Sequence, residues 1–143
     1  MLNAIKYDVK IDTSDVDFEK VAEILLYHGL SSLDAKTQKK IFSNSYAVVF
    51  LYEGDSLFGV GRAISDGVSQ AAIYNIALVE KYRGRGLGKV IVEELIKQVP
   101  GCNVILYTAP QLASIYEHWG FRRMKTGFAK YVEQDLYEEK GFI

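Results

Sequence analysis

The 143 residues suit one domain with one hydrophobic core, large enough to hold together without disulfides or a structural metal. Hydrophobic residues make up 49% and charged residues 24%, which excludes a disordered chain. A formal charge of -1, from 17 basic and 18 acidic side chains, argues against a general nucleic-acid binder, which needs a clear basic excess. Cys102 is the only cysteine, so no internal disulfide can form and a reducing cytoplasm is the simplest compartment.

Met1 to Asp17 mixes Lys6, Asp8, Lys10, Asp12 and Asp15 among its apolar residues and reads as no leader sequence. No apolar run approaches the roughly 20 residues of a membrane span. Ala4 to Val9 alternates weakly and is expected to be a strand. Asp15 or Asp17 can cap a helix with Phe18, Val21, Ala22, Leu25 and Leu26 on one face, ended by Gly29. A second short helix is expected from Asp34 to Phe42. Tyr46 to Tyr52 and Leu57 to Ser65 read as strands joined by a turn at Glu53-Gly54-Asp55-Ser56, and Asp66-Gly67 turns again.

Ala71 to Val79 is an apolar run of strand length, expected to be covered on both faces. A helix from Gly86 to Val99 follows, with Leu87, Val90, Ile91, Leu95 and Val99 inward and a Glu93–Lys97 pair outward; Pro100-Gly101 stops it. Val104 to Thr108 reads as a buried strand and Leu112 to Trp119 as a short helix. Phe121 to Met124 and Phe128 to Val132 read as closing strands, before a polar tail from Glu133 to Ile143. The order predicts an α/β (α+β) sandwich over the whole chain, with helices on both faces of a mixed, mostly antiparallel sheet and a core at about residues 4–132.

The densest chemical signal is Tyr82-Arg83-Gly84-Arg85-Gly86-Leu87-Gly88-Lys89, between a strand and an amphipathic helix. Glycines let main chain approach a ligand closely, and the first helical turn offers unpaired N–H groups at the positive end of the dipole. Together with Arg83, Arg85 and Lys89 these make an anion site suited to phosphate. The dinucleotide spacing fails because Lys89 stands at its last glycine. The triphosphate loop fails because Arg83 replaces its first glycine and Val90 its Ser or Thr.

The spacing that fits is Arg83-x-x-Gly86-x-Gly88, and here the chain resembles the Gcn5-related N-acetyltransferase (GNAT) family, whose hallmark loop is Q/R-x-x-G-x-G/A. The preceding Asn75-Ile76-Ala77-Leu78-Val79 and the downstream Tyr116-Glu117-His118-Trp119-Gly120-Phe121 resemble two more family phrases. The resemblance implies an acyl-CoA N-acyltransferase fold with a splayed sheet, and acetyl-CoA as co-substrate with no metal. Ile76, Ala77 and Leu78 would pair with the pantetheine arm, helped by a bulge near them. The amides of Gly84, Arg85, Gly86, Leu87, Gly88 and Lys89 would hold the pyrophosphate. A neutral primary amine would attack the thioester directly, Leu78 N–H would contact the oxyanion, and Tyr116 would protonate the thiolate.

The general base stays unassigned. Tyr74 and Asn75 are poor bases, and Ala109-Pro110 stands where family members often carry an asparagine. His28 and His118 are the remaining candidate proton carriers, although a lone histidine is more often a packing or surface residue. The acceptor is expected to meet the Tyr27-to-Leu33 connection, Arg62, Tyr74, Phe128 and Tyr131; Arg62 faces either a substrate carboxylate or a surface acid. The expected partner is a small-molecule amine, not nucleic acid or membrane, with a homodimer left open. A protein N-terminus or lysine as acceptor, and a non-catalytic acyl-CoA-binding module, are the alternatives.

Overall fold

The computed structural model describes residues 4–143. Met1 to Asn3, the start of the segment read above as carrying no leader, lie outside them. The chain divides into two compact units, one running up to Leu106 and one spanning Tyr107–Ile143.

The first unit holds a five-stranded sheet in the order β1 (Asp8–Lys10), β2 (Ala47–Glu53), β3 (Ser56–Ser65), β4 (Gln70–Leu78), β5 (Asn103–Ile105). The first four strands are antiparallel neighbours, and β5 runs parallel to β4. Helices α1 (Phe18–Tyr27) and α2 (Ala35–Ser43) precede β2, and α3 (Leu87–Lys97) lies between β4 and β5. Asp17 caps α1 by accepting from the N–H groups of Glu19 and Lys20, and Asp34 caps α2 through Thr37 N–H. Each cap satisfies main-chain donors that the helix itself cannot.

The two faces of the sheet can be told apart at two adjacent residues. Val60 packs in a cluster with Phe18, Val21, Ile24 and Leu25 of α1 and Phe42 of α2. Successive strand residues point to opposite faces, and the next residue, Gly61, faces α3. A Cβ there would collide with Ile91 Cγ2 and come within 2.8 Å of Ile76 Cδ1. The mixed sheet between helices is therefore as the sequence implied. Gly61→Ala should lower stability by about 1–3 kcal/mol through overpacking. Denaturant unfolding checks this, and an unchanged midpoint would contradict the close approach of α3.

Several boundaries and inward faces differ from expectation. In α1, Ile24 is buried and Leu26 is exposed, the reverse of the predicted stripe at that turn. In α3, Val92 replaces Val90 in the buried set, and Glu93 pairs with Lys89 while Lys97 pairs with Glu94. The strand predicted to reach Thr108 pairs only to Ile105, with Ile105 and Tyr107 about half exposed rather than buried.

The second unit contains α4 (Ala113–His118), preceded by a turn of 3-10 helix at Pro110–Leu112, and α5 (Gln134–Glu139). Neither predicted closing strand forms: residues 121–124 and 128–132 lie outside any strand. Strand preference is a preference for a half-buried pleated surface. Phe128 and Val132 are fully exposed, so these two apolar residues of the second segment meet no such surface. The tail read as polar carries α5, whose approach is held by Tyr131 N–H donating to Gln134 Oε1 at 2.7 Å. Tyr131 stacks on Tyr137 with ring centres 3.8 Å apart, and Phe142 packs edge-on against Tyr107 and Tyr137.

Candidate active site

The end of β4 is built to be left open on one side. β4 pairs with β5 over only Gln70, Ala71 and Ala72. Between Tyr74 and Ala77 it carries one residue more than β3 does between Arg62 and Val60, which makes a bulge. Asn75 sits there with φ of 59°, a left-handed backbone that asparagine tolerates better than most residues. The bulge lies slightly before the expected Ile76–Leu78 position. It bends the strand and increases its twist, just beyond the point, Ala72, where the ladder to β5 ends. From Ile73 to Leu78 that edge of β4 has no strand partner among the described residues.

The direction of the main-chain groups on this edge follows from one hydrogen bond. Val79 N–H donates to Phe58 O on β3 at 2.7 Å. In a trans peptide the carbonyl points the opposite way, so Leu78 C=O faces the open edge, together with Leu78 N–H. Two residues earlier, Ile76 faces the same way. Ala77, paired with Val60, turns its main chain to β3 and buries its side chain. Of the three strand residues singled out in the sequence, Ile76 and Leu78 therefore offer outward main-chain groups and Ala77 does not.

The chain then enters a turn of 3-10 helix, Glu80–Tyr82, anchored by Tyr82. The Tyr82 ring stacks on Phe58 at 4.0 Å, and its hydroxyl donates to Glu53 Oε1 at 2.6 Å. That hydrogen bond to a carboxylate, with burial, holds the phenol above its usual range. With Tyr82 fixed on one side and buried Leu87 on the other, residues 83–86 are suspended between two anchors.

Gly84 and Gly86 both have φ of 77°, and a Cβ at either would meet open space. Gly86 is the N-cap of α3 and supplies no side chain to satisfy the first turn. The first helical bond is Val90 N–H to Gly86 O. Among the described residues, no protein acceptor takes a hydrogen bond from the main-chain N–H groups of residues 84–89. Six donors are thus without a protein acceptor among the described residues, at the positive end of a helix dipole. Arg83 pairs with Glu80 at 3.3 Å and Lys89 with Glu93 at 3.8 Å, all about half exposed. Exposed pairs of this kind are weak, so both cations stay available to an anion.

Other predicted residues fall into two groups. Arg62 is half-buried beside the bulge: its Nε donates to Asn75 Oδ1 at 2.6 Å, another nitrogen donates to Ser45 Oγ, and the guanidinium lies over the Tyr74 ring. In the second unit, Tyr116 packs edge-on against Trp119 and Phe121. Gly120 closes α4 with φ of 94°, and Phe121 N–H returns to Tyr116 O, which fixes the Y-E-x-x-G-F phrase as a helix stop. Burial pushes the Tyr116 hydroxyl above its usual range, keeping it a phenol at neutral pH.

Residues 15–132, which contain this strand edge and loop, match the family model of an acetyltransferase (GNAT) domain. The chain belongs to the GNAT acetyltransferase family. It is 32% identical over 112 residues to an uncharacterized N-acetyltransferase, ycf52, of Gracilaria tenuistipitata var. liui, covering 73% of this chain and 60% of that one. Its fold is that of a GNAT-family acetyltransferase from Streptococcus pneumoniae TIGR4, with TM-score 0.74, 20% identity and coverage of 88% and 98%. It is likewise that of the aminoglycoside N-acetyltransferase AAC(6')-Iy in complex with CoA, with TM-score 0.69, 13% identity and coverage of 92% and 99%. At those identities the two solved structures speak to the fold alone. Within the family frame, sequence reasoning missed two features of this site. One is the bulge residue Asn75, signalled by an Asn in the middle of an apolar strand. The other is the contact of His28 with β4, for which a single sequence carries no signal.

Proposed function

We propose that this GNAT acetyltransferase uses acetyl-CoA to acetylate a primary amine of a small molecule. The observation that supports it most is the run of unclaimed N–H groups at residues 84–89, beside an open edge on the same strand-to-helix unit. The fit to the donor is chemical at both ends. A pyrophosphate is matched by six amides, a helix N-terminus and the side chains of Arg83, Arg85 and Lys89. An extended amide arm is matched by the outward main-chain groups of Ile76 and the N–H of Leu78, whose carbonyl is already met by His28. When bound, acetyl-CoA supplies an activated acyl group.

The chain's own residues then have three tasks. The loop and strand edge hold the donor in one orientation, which lowers the entropic part of the barrier. Leu78 N–H, fixed in the strand, donates toward the thioester oxygen as charge develops on it. Tyr116, held as a phenol by burial, is assigned the proton for the departing thiolate. No carboxylate on β4 or β5 is offered as a base, so the amine is taken as entering neutral or losing its proton to water. Arg62, half-buried at the bulge, is the charged side chain offered to the acceptor.

The test is release of free thiol from acetyl-CoA across a panel of small amines, amino-terminal peptides and lysine peptides. Turnover on a small amine is expected. Turnover on peptides alone would replace the acceptor class. Coenzyme binding without turnover on any amine would make the chain a binding module.

A further inference from the structure

We propose that His28 is a positioning residue for acetyl transfer, locking the Leu78 peptide at the open edge of β4. The inference rests on the acetyltransferase reading and adds to it a role for a residue outside the family phrases. His28 is the C-cap of α1, 50 residues from β4 in sequence, yet its Nε2 lies 2.5 Å from Leu78 O. A carbonyl can only accept, so Nε2 carries the proton.

Leu78 C=O is the group that points away from β3, toward the side that β5 leaves after Ala72. The same peptide is gripped at its other end, where Val79 N–H donates to Phe58 O. Two opposed hydrogen bonds therefore fix the Leu78–Val79 peptide plane, and through the Leu78 Cα they steady the adjoining Ala77–Leu78 peptide whose N–H is assigned to the thioester oxygen. Hydrogen bonds of this kind matter most where a displacement of an ångström or less changes a reaction rate.

The ring is itself held. His28 N–H caps Ile24 O, and Gly29, at φ of 67°, lets Gly29 and Leu30 return their N–H groups to Leu26 O and Leu25 O. Leu25 is fully buried, so this helix end is tied to the core. The Tyr27 ring meets the imidazole edge-on at 4.9 Å. His28 also begins the connection between α1 and α2, so the bond joins that connection to the reactive strand edge.

The experiment compares the wild type with His28→Ala and His28→Gln. Nitrogen-15 NMR of the imidazole reads the tautomer without any coenzyme, and an Nδ1–H ring would overturn the geometry. With acetyl-CoA and an accepted amine, H28A should lose about tenfold in kcat with coenzyme Kd changed by less than about twofold, since a positioning bond is lost and the phosphate loop is not. H28Q carries an N–H on a flexible stem and should regain most of the rate. An H28A rate equal to wild type would overturn the assignment. So would an H28Q as slow as H28A whose pH profile loses a limb, which would make His28 a proton carrier. A wild type that never turns over removes the acetyltransferase reading and this one with it; a wild type that turns over leaves only the His28 claim at stake.

Discussion

Replacing Gly86 with leucine is expected to weaken acetyl-CoA binding by about 10- to 100-fold, the loss of one or two hydrogen bonds to a charged group. Gly86 has φ of 77°, and nothing lies within 4 Å of where its Cβ would be. A Cβ there meets no protein atom, so the main cost to the fold is the left-handed backbone, about 1–2 kcal/mol. The leucine would stand over the amides of the first turn of α3, in the space a phosphate needs. Calorimetric titration with acetyl-CoA, beside a melting curve, separates the two effects. Unchanged affinity in a folded variant would remove the loop from the coenzyme site.

Tyr116→Phe is expected to lower kcat by about 100-fold while leaving coenzyme affinity unchanged, the loss of one general acid. The ring packs edge-on against Trp119 and Phe121, contacts that phenylalanine keeps, so stability should hold. Burial raises the Tyr116 pKa, so its acid form persists through neutral and mildly alkaline pH. The wild-type rate should therefore fall only when pH rises above the ordinary tyrosine range of about 10. Steady-state rates against pH for both proteins check this, and equal rates would take Tyr116 out of the mechanism.

Much of this was legible in the sequence because the signals are local. Asp17 and Asp34 announce helix starts through the reach of their own carboxylates, and alternating Gly84, Gly86 and Gly88 before an amphipathic run announce a loop entering a helix. The parts that failed depend on partners distant in sequence. Phe128-Ala129-Lys130-Tyr131-Val132 has strand composition, but a strand forms only against a ladder, and Phe128 and Val132 meet none. The Glu93–Lys97 pair has the right spacing on paper. Glu94 and Lys89 are equally near, and exposed pairs differ too little in energy for spacing to choose among them.

Within the site, the same division holds. The loop could be read residue by residue, whereas which main-chain groups of β4 point outward could not. A one-residue bulge at Asn75 resets the alternation, and only the bond from Val79 N–H to Phe58 O shows that Leu78 rather than Ala77 faces the open edge. His28 reaches that edge through the fold of α1, and nothing around it in sequence names Leu78 as its partner.

The most direct test of the coenzyme site is an amide chemical-shift titration of nitrogen-15-labelled protein with coenzyme A. The N–H signals of residues 84–89, with those of Ile76 and Leu78, should shift together and saturate at one stoichiometric equivalent, while Ala77, turned to β3, moves less. Saturation with those signals unmoved, and the changes gathered elsewhere on the chain, would contradict it.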